Sequence, residues 1–133
     1  MRVLALDYGS ARCGCAVSDP TGTLATPIEP VLRPRSRPGL AQLVALVEER
    51  EVERVVVGLP VTLAGGESDQ TRECRAFADA LRSRIAVPVD LYDERFTTAI
   101  AARSGGDGTS EDSRAAAVLL EDWLARHGWE HAS

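Results

Sequence analysis

The sequence predicts an α/β fold with one mixed β-sheet and helices on both of its faces. Strand patterns separated by tight turns come first, and helix and strand patterns then alternate, which is the order expected for such a sheet. The apolar run Val55-Val56-Val57 predicts a central strand covered on both sides, because a strand that is open to solvent on one face alternates in polarity. At 133 residues, we expect a single domain over residues 1–133.

Periodicity separates the strands from the helices. Alternating or continuous apolar runs bounded by Gly, Pro or Asp indicate strands, and apolar residues three and four positions apart indicate helices. The predicted strands are 3–7, 12–18, 24–31, 52–59 and 88–91, and the predicted helices lie at about 40–50, 70–84 and 110–126, with a short helix starting near residue 97.

Prolines modify two of these segments. Pro27 and Pro30 confine the third strand to an edge or irregular position, because proline cannot donate a hydrogen bond to a neighbouring strand. Residues 33–38, with the sequence RPRSRP, are predicted to form a stiff basic loop. The arginines of this loop either grip a backbone phosphate or are merely solvated.

Composition narrows the classes of function. The net charge of −5 argues against a broad basic surface that holds nucleic acid by charge alone, and all fifteen basic side chains are Arg. No apolar stretch approaches the roughly 20 residues that span a bilayer. Charges flank the short first apolar run, so we expect no signal peptide, no membrane partner and a cytoplasmic protein.

The three cysteines are interpreted as small apolar core residues. Cys13 and Cys15 fall on the same face of one predicted strand, where parallel side-chain directions suit a disulfide poorly. A metal site built from this pair lacks further ligands. Cys74 falls on the apolar stripe of a predicted helix and has the same interpretation.

Acidic residues stand at three points where a strand or helix meets its loop. Asp7 ends the first strand, the Asp93-Glu94 pair follows the fifth, and Asp112 opens the last helix. Each has a structural explanation that involves no ligand: a turn former, a solvated ion pair with Arg95, or a favourable charge at a helix N-terminus. Spacing alone does not choose between Asp93 and Glu94.

Two of these acids are nevertheless predicted to face inward. Period-two alternation places Asp7 in line with Val3 and Ala5. Asp112 occupies the next place on the apolar stripe of the last helix, and a helix-dipole role does not explain that face. The stripe consists of Ala115, Ala116, Leu119, Leu120 and Trp123.

If the fold gathers these acids, their oxygens suit Mg²⁺ or Mn²⁺. A pair of such ions can activate a water and stabilise the leaving oxygen of a phosphodiester, so the pattern indicates a metal-dependent nuclease. In such a site, Arg95 is placed to face a phosphate.

Four segments in order resemble the YqgF/RuvX-like family, whose members are described as RNase H-like pre-16S rRNA nucleases and as Holliday junction resolvases. Residues 6–19, LDYGSARCGCAVSD, resemble the family pattern LDxGxKRIGxAxSD, and residues 57–70, VGLPVTLAGGESDQ, resemble VGLPLNMDGSEGxQ. Residues 93–98, DERFTT, are similar to DERLTT, and residues 112–124 are similar to DxxAAxxILQxYL. Ala11, Thr62 and Ala64 depart from the Lys, Asn and Asp of these patterns. These departures remove polar contacts but spare the acids.

The resemblance implies an RNase H-like fold with a mixed five-stranded sheet, and it favours Glu94 over Asp93. It implies Asp7, Glu94 and Asp112 as catalytic residues and as ligands of Mg²⁺ or Mn²⁺. The residues expected to contact substrate phosphates are Arg12, Arg95, Thr97 and Thr98.

The expected function is hydrolysis of phosphodiester bonds in an rRNA precursor during ribosome biogenesis, at the 5′ end of pre-16S rRNA. The main alternative is a Holliday junction resolvase acting on branched DNA, which would favour a homodimer over a monomer. Two alternatives belong to other classes: a nucleic-acid-binding protein with a relict site, and a nucleotide-binding ATPase or kinase module. The last needs two such domains, and the chain length supplies one.

Overall fold

The computed structural model describes residues 1–59, 69–93 and 111–127. In this part of the chain, no helix is long and apolar enough to cross a membrane. The strands are β1 (Val3–Asp7), β2 (Arg12–Ser18), β3 (Ala25–Leu32), β4 (Arg54–Leu59) and β5 (Val89–Asp93), and the helices are α1 (Arg37–Glu49), α2 (Asp69–Arg82) and α3 (Glu111–His127).

The five strands form one mixed sheet in the order β3-β2-β1-β4-β5. β1 pairs antiparallel with β2, and β2 pairs antiparallel with β3. β1 also pairs parallel with β4, and β4 pairs parallel with β5. The carboxyl ends of β1, β4 and β5 therefore lie at the same edge of the sheet, which is where ligands bind in open α/β sheets.

Helices cover both faces of the sheet, as predicted. The cluster on one face joins Leu4, Leu6, Val55 and Val57 to residues of α1 and α2, including Phe77. The cluster on the opposite face joins strand residues to α3, and its buried members are Val3, Ala5, Ala16, Val56, Tyr92, Ala116, Leu119, Leu120 and Trp123. The continuous valine run of β4 is thus explained, because alternate valines enter opposite cores.

The proline-containing strand β3 lies at the edge of the sheet, as its sequence predicted. The predicted basic loop is shorter than expected, because Arg37 and Pro38 already belong to α1. Ser36 caps this helix, and its Oγ accepts a hydrogen bond from Gly39 N at 3.1 Å. Proline is compatible with the first helical turn, where its missing N–H would have no helical partner.

The core-filler interpretation of the cysteines is confirmed. Cys13, Cys15 and Cys74 are each fully buried, and Cys74 Sγ donates to the carbonyl of Gly58 at 3.3 Å. The hydrogen bond with Cys15, together with burial, raises the pKa of the Cys13 thiol. Cys13 is therefore a protonated, apolar core group at neutral pH.

Candidate functional site

Asp7 is the last residue of β1 and stands at the edge where the parallel strands end. Its register partners are Gly14 on β2 and Gly58 on β4. Alternation places it on the face of Val3 and Ala5, which is the face that packs against α3. The residue is half-buried at this position.

Ser113 ties the beginning of α3 to this edge. It is fully buried. Its Oγ accepts a hydrogen bond from Cys15 N at 3.4 Å and donates one to the carbonyl of Ile28. Cys15 adjoins Gly14, the register partner of Asp7. The backbone of Asp112, one residue before Ser113, is therefore brought beside the end of β1.

Sequence reasoning missed Ser113, although the helical period marks it. Ser113 lies three residues before Ala116 and seven before Leu120, both of which are fully buried. Ala115, which we assigned to the inward stripe, is instead half-buried. A serine can replace an apolar residue there because its hydroxyl bonds to two strands at once.

Tyr92 fastens the end of β5 to the same helix. Its register partner is Gly58, and its hydroxyl donates to the carboxylate of Asp122 on α3. Arg126 Nε also donates to Asp122, at 3.1 Å. Burial, followed by the hydrogen bond to Asp122, raises the pKa of Tyr92 to about 12, so this contact persists at neutral pH.

Tyr8 makes a second polar network on the other side of the sheet. Its hydroxyl donates to Glu73 Oε1 at 2.6 Å. Its ring stacks on Phe77 with centroids 4.7 Å apart. Burial and the contact with Glu73 raise the pKa of Tyr8 well above its ordinary value, and the nearby charge of Arg35 partly opposes that rise in pKa. The residue that follows Asp7 is thereby fixed to α2.

Comparison with known proteins identifies the family. The model of the RuvX family, described as Holliday junction resolvase, matches residues 1–126. The chain belongs to the RuvX family. Membership identifies it as an enzyme of a nuclease family.

Relatives of this RuvX-family chain carry a different name, "Putative pre-16S rRNA nuclease". The protein of that name from Koribacter versatilis is 39% identical over 135 residues, covering 96% of this chain and 88% of the relative. The protein from Mycobacterium leprae is 45% identical over 132 residues, covering 92% of this chain and 72% of the relative.

Solved structures confirm the predicted fold. The structure of Thermus thermophilus RuvC matches with a TM-score of 0.60 at 16% identity, covering 96% of this chain and 97% of that one. RuvC in complex with Holliday junction substrate matches with a TM-score of 0.58 at 17% identity, covering 96% of each chain. The RuvX-family chain has the RNase H-like α/β fold, with a mixed five-stranded sheet.

Some of the predicted site residues of this RuvX-family chain lie within the described residues and others lie outside them. Asp7 and the backbone of Asp112 approach one edge, and Arg12 is exposed at the start of β2 on the same edge. Glu94 follows the last described residue of β5 and lies outside the described residues. The predicted substrate contacts Arg95, Thr97 and Thr98 lie outside them as well.

The chemistry of the edge fits a hard divalent cation. Asp7 is the only one of the three predicted ligands whose side chain is described, and the described residues include no group of three His, Cys, Asp or Glu that could hold a metal ion. Asp7 supplies carboxylate oxygens, which Mg²⁺ and Mn²⁺ prefer, whereas the thiol of Cys13 on the opposite face is kept protonated. The one described donor at this edge is therefore of the oxygen class that hard cations bind.

Replacing Ser113 with Ala is expected to lower the free energy of unfolding by about 1–3 kcal/mol. The substitution removes the hydroxyl that serves Cys15 N, which is buried, and the Ile28 carbonyl, which is partly buried. Urea denaturation measures the change. Ser83→Ala is the matched control, because the Ser83 hydroxyl bonds to the Ala80 carbonyl on the surface.

Equal stabilities of the Ser113→Ala and Ser83→Ala variants would contradict a structural role for Ser113. A surface substitution of this kind is expected to change stability by about 0.5 kcal/mol or less.

Proposed function

We propose that the protein is a divalent-metal-dependent nuclease that hydrolyses phosphodiester bonds in the precursor of 16S rRNA. The observation that carries the proposal is the convergence of three strand ends and one helix start at a single edge. Asp7 lies there, the first turn of α3 is bound there through Ser113, and β5 ends beside β4 with Glu94 next in sequence. The proposal treats residues 1–133 as one cytoplasmic domain.

In this proposal, Asp7, Glu94 and Asp112 hold Mg²⁺ or Mn²⁺. When bound, such ions lower the pKa of water and stabilise charge on the leaving oxygen. Asp7 contributes a carboxylate whose backbone is paired on both sides, by Gly14 and Gly58. A ligand fixed in this way needs little reorganisation during the reaction, which is the main requirement of an electrostatic site.

Four further residues would position the substrate. Arg12 is exposed at the edge that carries Asp7, and its guanidinium can bind a phosphate through two parallel hydrogen bonds. Arg95, Thr97 and Thr98 follow the expected ligand Glu94 in sequence, and we assign them contacts with the phosphate backbone. These contacts fix the scissile bond against the acids without reading the base sequence.

The choice of RNA as substrate is supported by the relatives. Proteins 38–45% identical over at least 92% of this chain carry the name that refers to pre-16S rRNA. The second candidate is cleavage of four-way DNA junctions, which the description of the family model favours. A resolvase would act as a homodimer, because two symmetric cuts require two sites on one junction; a nuclease of single-stranded precursor has no such requirement.

A cleavage assay with purified protein and Mn²⁺ tests both candidates. Its two substrates are a precursor fragment containing the 5′ end of 16S rRNA and a four-way DNA junction. We expect cleavage of the RNA and its abolition by EDTA. Cleavage of the junction alone would overturn the RNA assignment. Glu94→Gln is expected to abolish cleavage, whereas Asp93→Asn, the matched neighbour, is expected to retain it.

The relict-site alternative makes a different set of expectations. If the acids no longer bind metal, calorimetric titration with Mn²⁺ gives no heat, and no substrate is cut at any metal concentration. Heat of binding that disappears in Asp112→Asn, together with cleavage by the wild type, would exclude that alternative.

A further inference from the structure

Three exposed arginines lie before α1 and at its first residue, beside the candidate site. We define the basic loop as residues 33–37, which carry Arg33, Arg35 and Arg37, the first residue of α1. Leu32 pairs with Arg12 at the start of β2. Because β2 and β3 are antiparallel, the loop lies at the edge where β1 ends. The end of β3 is two strand spacings, or about 10 Å, from the end of β1.

The basic loop is held in one conformation. Arg33 N donates to the carbonyl of Ala11 at 2.9 Å, and the Arg33 carbonyl accepts from Ser36 N at 2.9 Å and from Ser36 Oγ at 2.6 Å. Pro34 is buried. A Cβ on Gly39 would approach the Arg33 carbonyl oxygen to 2.2 Å, so the first turn of α1 packs directly against the loop. A ligand would therefore meet arginines on an ordered backbone, which lowers the entropic cost of binding.

The electrostatic surroundings of the basic loop are positive. The first turn of α1 contains no acidic residue, so the positive end of the helix dipole adds to the charge of the arginines. Within the described residues, the ion pairs are made by other arginines, and neither Arg33 nor Arg37 takes part in one. In a protein of net charge −5, this is a local concentration of positive charge beside an acidic edge.

The backbone connects the loop to the candidate site. Arg33 N donates to the carbonyl of Ala11, and Leu32 pairs with Arg12, on the strand whose Gly14 is the register partner of Asp7. The loop thus keeps a fixed relation to the end of β1, so a phosphate bound by the loop would lie at a constant distance from Asp7.

We propose that the basic loop binds the phosphodiester backbone of the substrate strand outside the acidic edge. Arg33 and Arg37 supply the phosphate contacts, and the hydrogen bond from Arg33 N to the Ala11 carbonyl anchors the loop. Arginine suits this role because its guanidinium forms paired hydrogen bonds with phosphate oxygens. The inference rests on the proposed nuclease function, because the strand that the loop binds is the one that the neighbouring site would cleave.

The test is binding of fluorescein-labelled single-stranded RNA, and separately of a labelled four-way DNA junction, measured by anisotropy in EDTA over a range of salt concentrations. The variant Arg33→Gln/Arg37→Gln is expected to bind about tenfold more weakly at moderate salt. For single-stranded RNA, the slope of log affinity against log salt is expected to become shallower by about 0.7 for each phosphate that the variant no longer neutralises.

The matched control is Arg50→Gln/Arg84→Gln. These exposed arginines follow the C-terminal ends of α1 and α2, at the sheet edge opposite to the basic loop, and their replacement changes the net charge by the same amount. We expect the control to retain the wild-type affinity and salt slope. Circular dichroism checks that both variants keep the wild-type helix content.

Three outcomes would overturn the proposal for the loop: equal affinity and slope in the two double variants, equal weakening in both, or failure of the wild type to bind either nucleic acid. Cleavage in Mn²⁺ is measured separately. Binding that depends on Arg33 and Arg37 without any cleavage would support the loop contact and contradict the proposed nuclease function. Cleavage by the wild type, together with equal binding by both variants, would support the nuclease function and contradict the loop contact.

Discussion

Replacing Asp7 with Asn is expected to reduce the rate of metal-dependent RNA cleavage about 1000-fold. The lost charge stabilisation would raise the activation barrier by about 4 kcal/mol, and each 1.36 kcal/mol lowers the rate tenfold. Asn preserves the size of the side chain and removes only the negative charge that would bind the cation. Asp7 pairs through its backbone with Gly14 and Gly58, and the substitution leaves that pairing intact. Single-turnover cleavage in Mn²⁺ measures the loss.

Asp79→Asn provides the control for Asp7→Asn. Asp79 is exposed on α2, where it forms an ion pair with Arg82 at 2.7 Å, and its replacement makes the same change in charge. We expect it to retain wild-type cleavage. If the Asp7→Asn variant keeps a wild-type melting temperature and cleaves at more than about a tenth of the wild-type rate, Asp7 is not a ligand of the reacting metal.

The largest expected effect on stability comes from Phe77→Ala, which should lower the free energy of unfolding by about 3–5 kcal/mol. Among the described residues, Phe77 is the largest fully buried side chain, and it lies between α2 and the sheet. Its ring also stacks on Tyr8, so the substitution removes an aromatic contact and leaves a cavity. Urea denaturation followed by circular dichroism measures the difference.

Leu24→Ala is the control for Phe77→Ala, because Leu24 is 68% exposed and its truncation leaves no cavity. A change of about 0.5 kcal/mol or less is expected there. A decrease below about 1 kcal/mol in Phe77→Ala would mean that α2 does not pack against the sheet through this residue.

Local patterns predicted most of the elements because they depend on neighbours in sequence. The strands 3–7 and 12–18 were predicted with the bounds that the structure shows. Errors occur at the ends of elements. β4 begins at Arg54 rather than at residue 52, and β5 extends to Asp93, two residues beyond its predicted end. Arg37 was assigned to a loop because prolines flank it, yet the Ser36 cap allows the helix to begin there; the second helix ends at Arg82, two residues early, where Ser83 and Arg84 form a turn.

The candidate site was predictable only in part. Period-two alternation predicted that Asp7 lies on the face of Val3 and Ala5, and Asp7 is the last paired residue of β1. No local pattern reveals that Ser113 bonds to a residue 98 positions away. The contacts of Tyr8 with Glu73 and of Tyr92 with Asp122 are also between residues far apart in sequence. Each depends on strand order, which period and propensity do not specify.

Local patterns specify the alternation of elements, the buried faces, the acids at element ends and, through four ordered motifs, the family. Those properties follow from side-chain period and from turn and cap residues, which act over a few positions. Which element ends meet depends on long-range packing: β1 lies between β2 and β4, and Ser113 joins α3 to β2 and β3. Burial of two separate apolar faces selects that arrangement, because only a sheet covered on both sides satisfies β4 and the three described helices together.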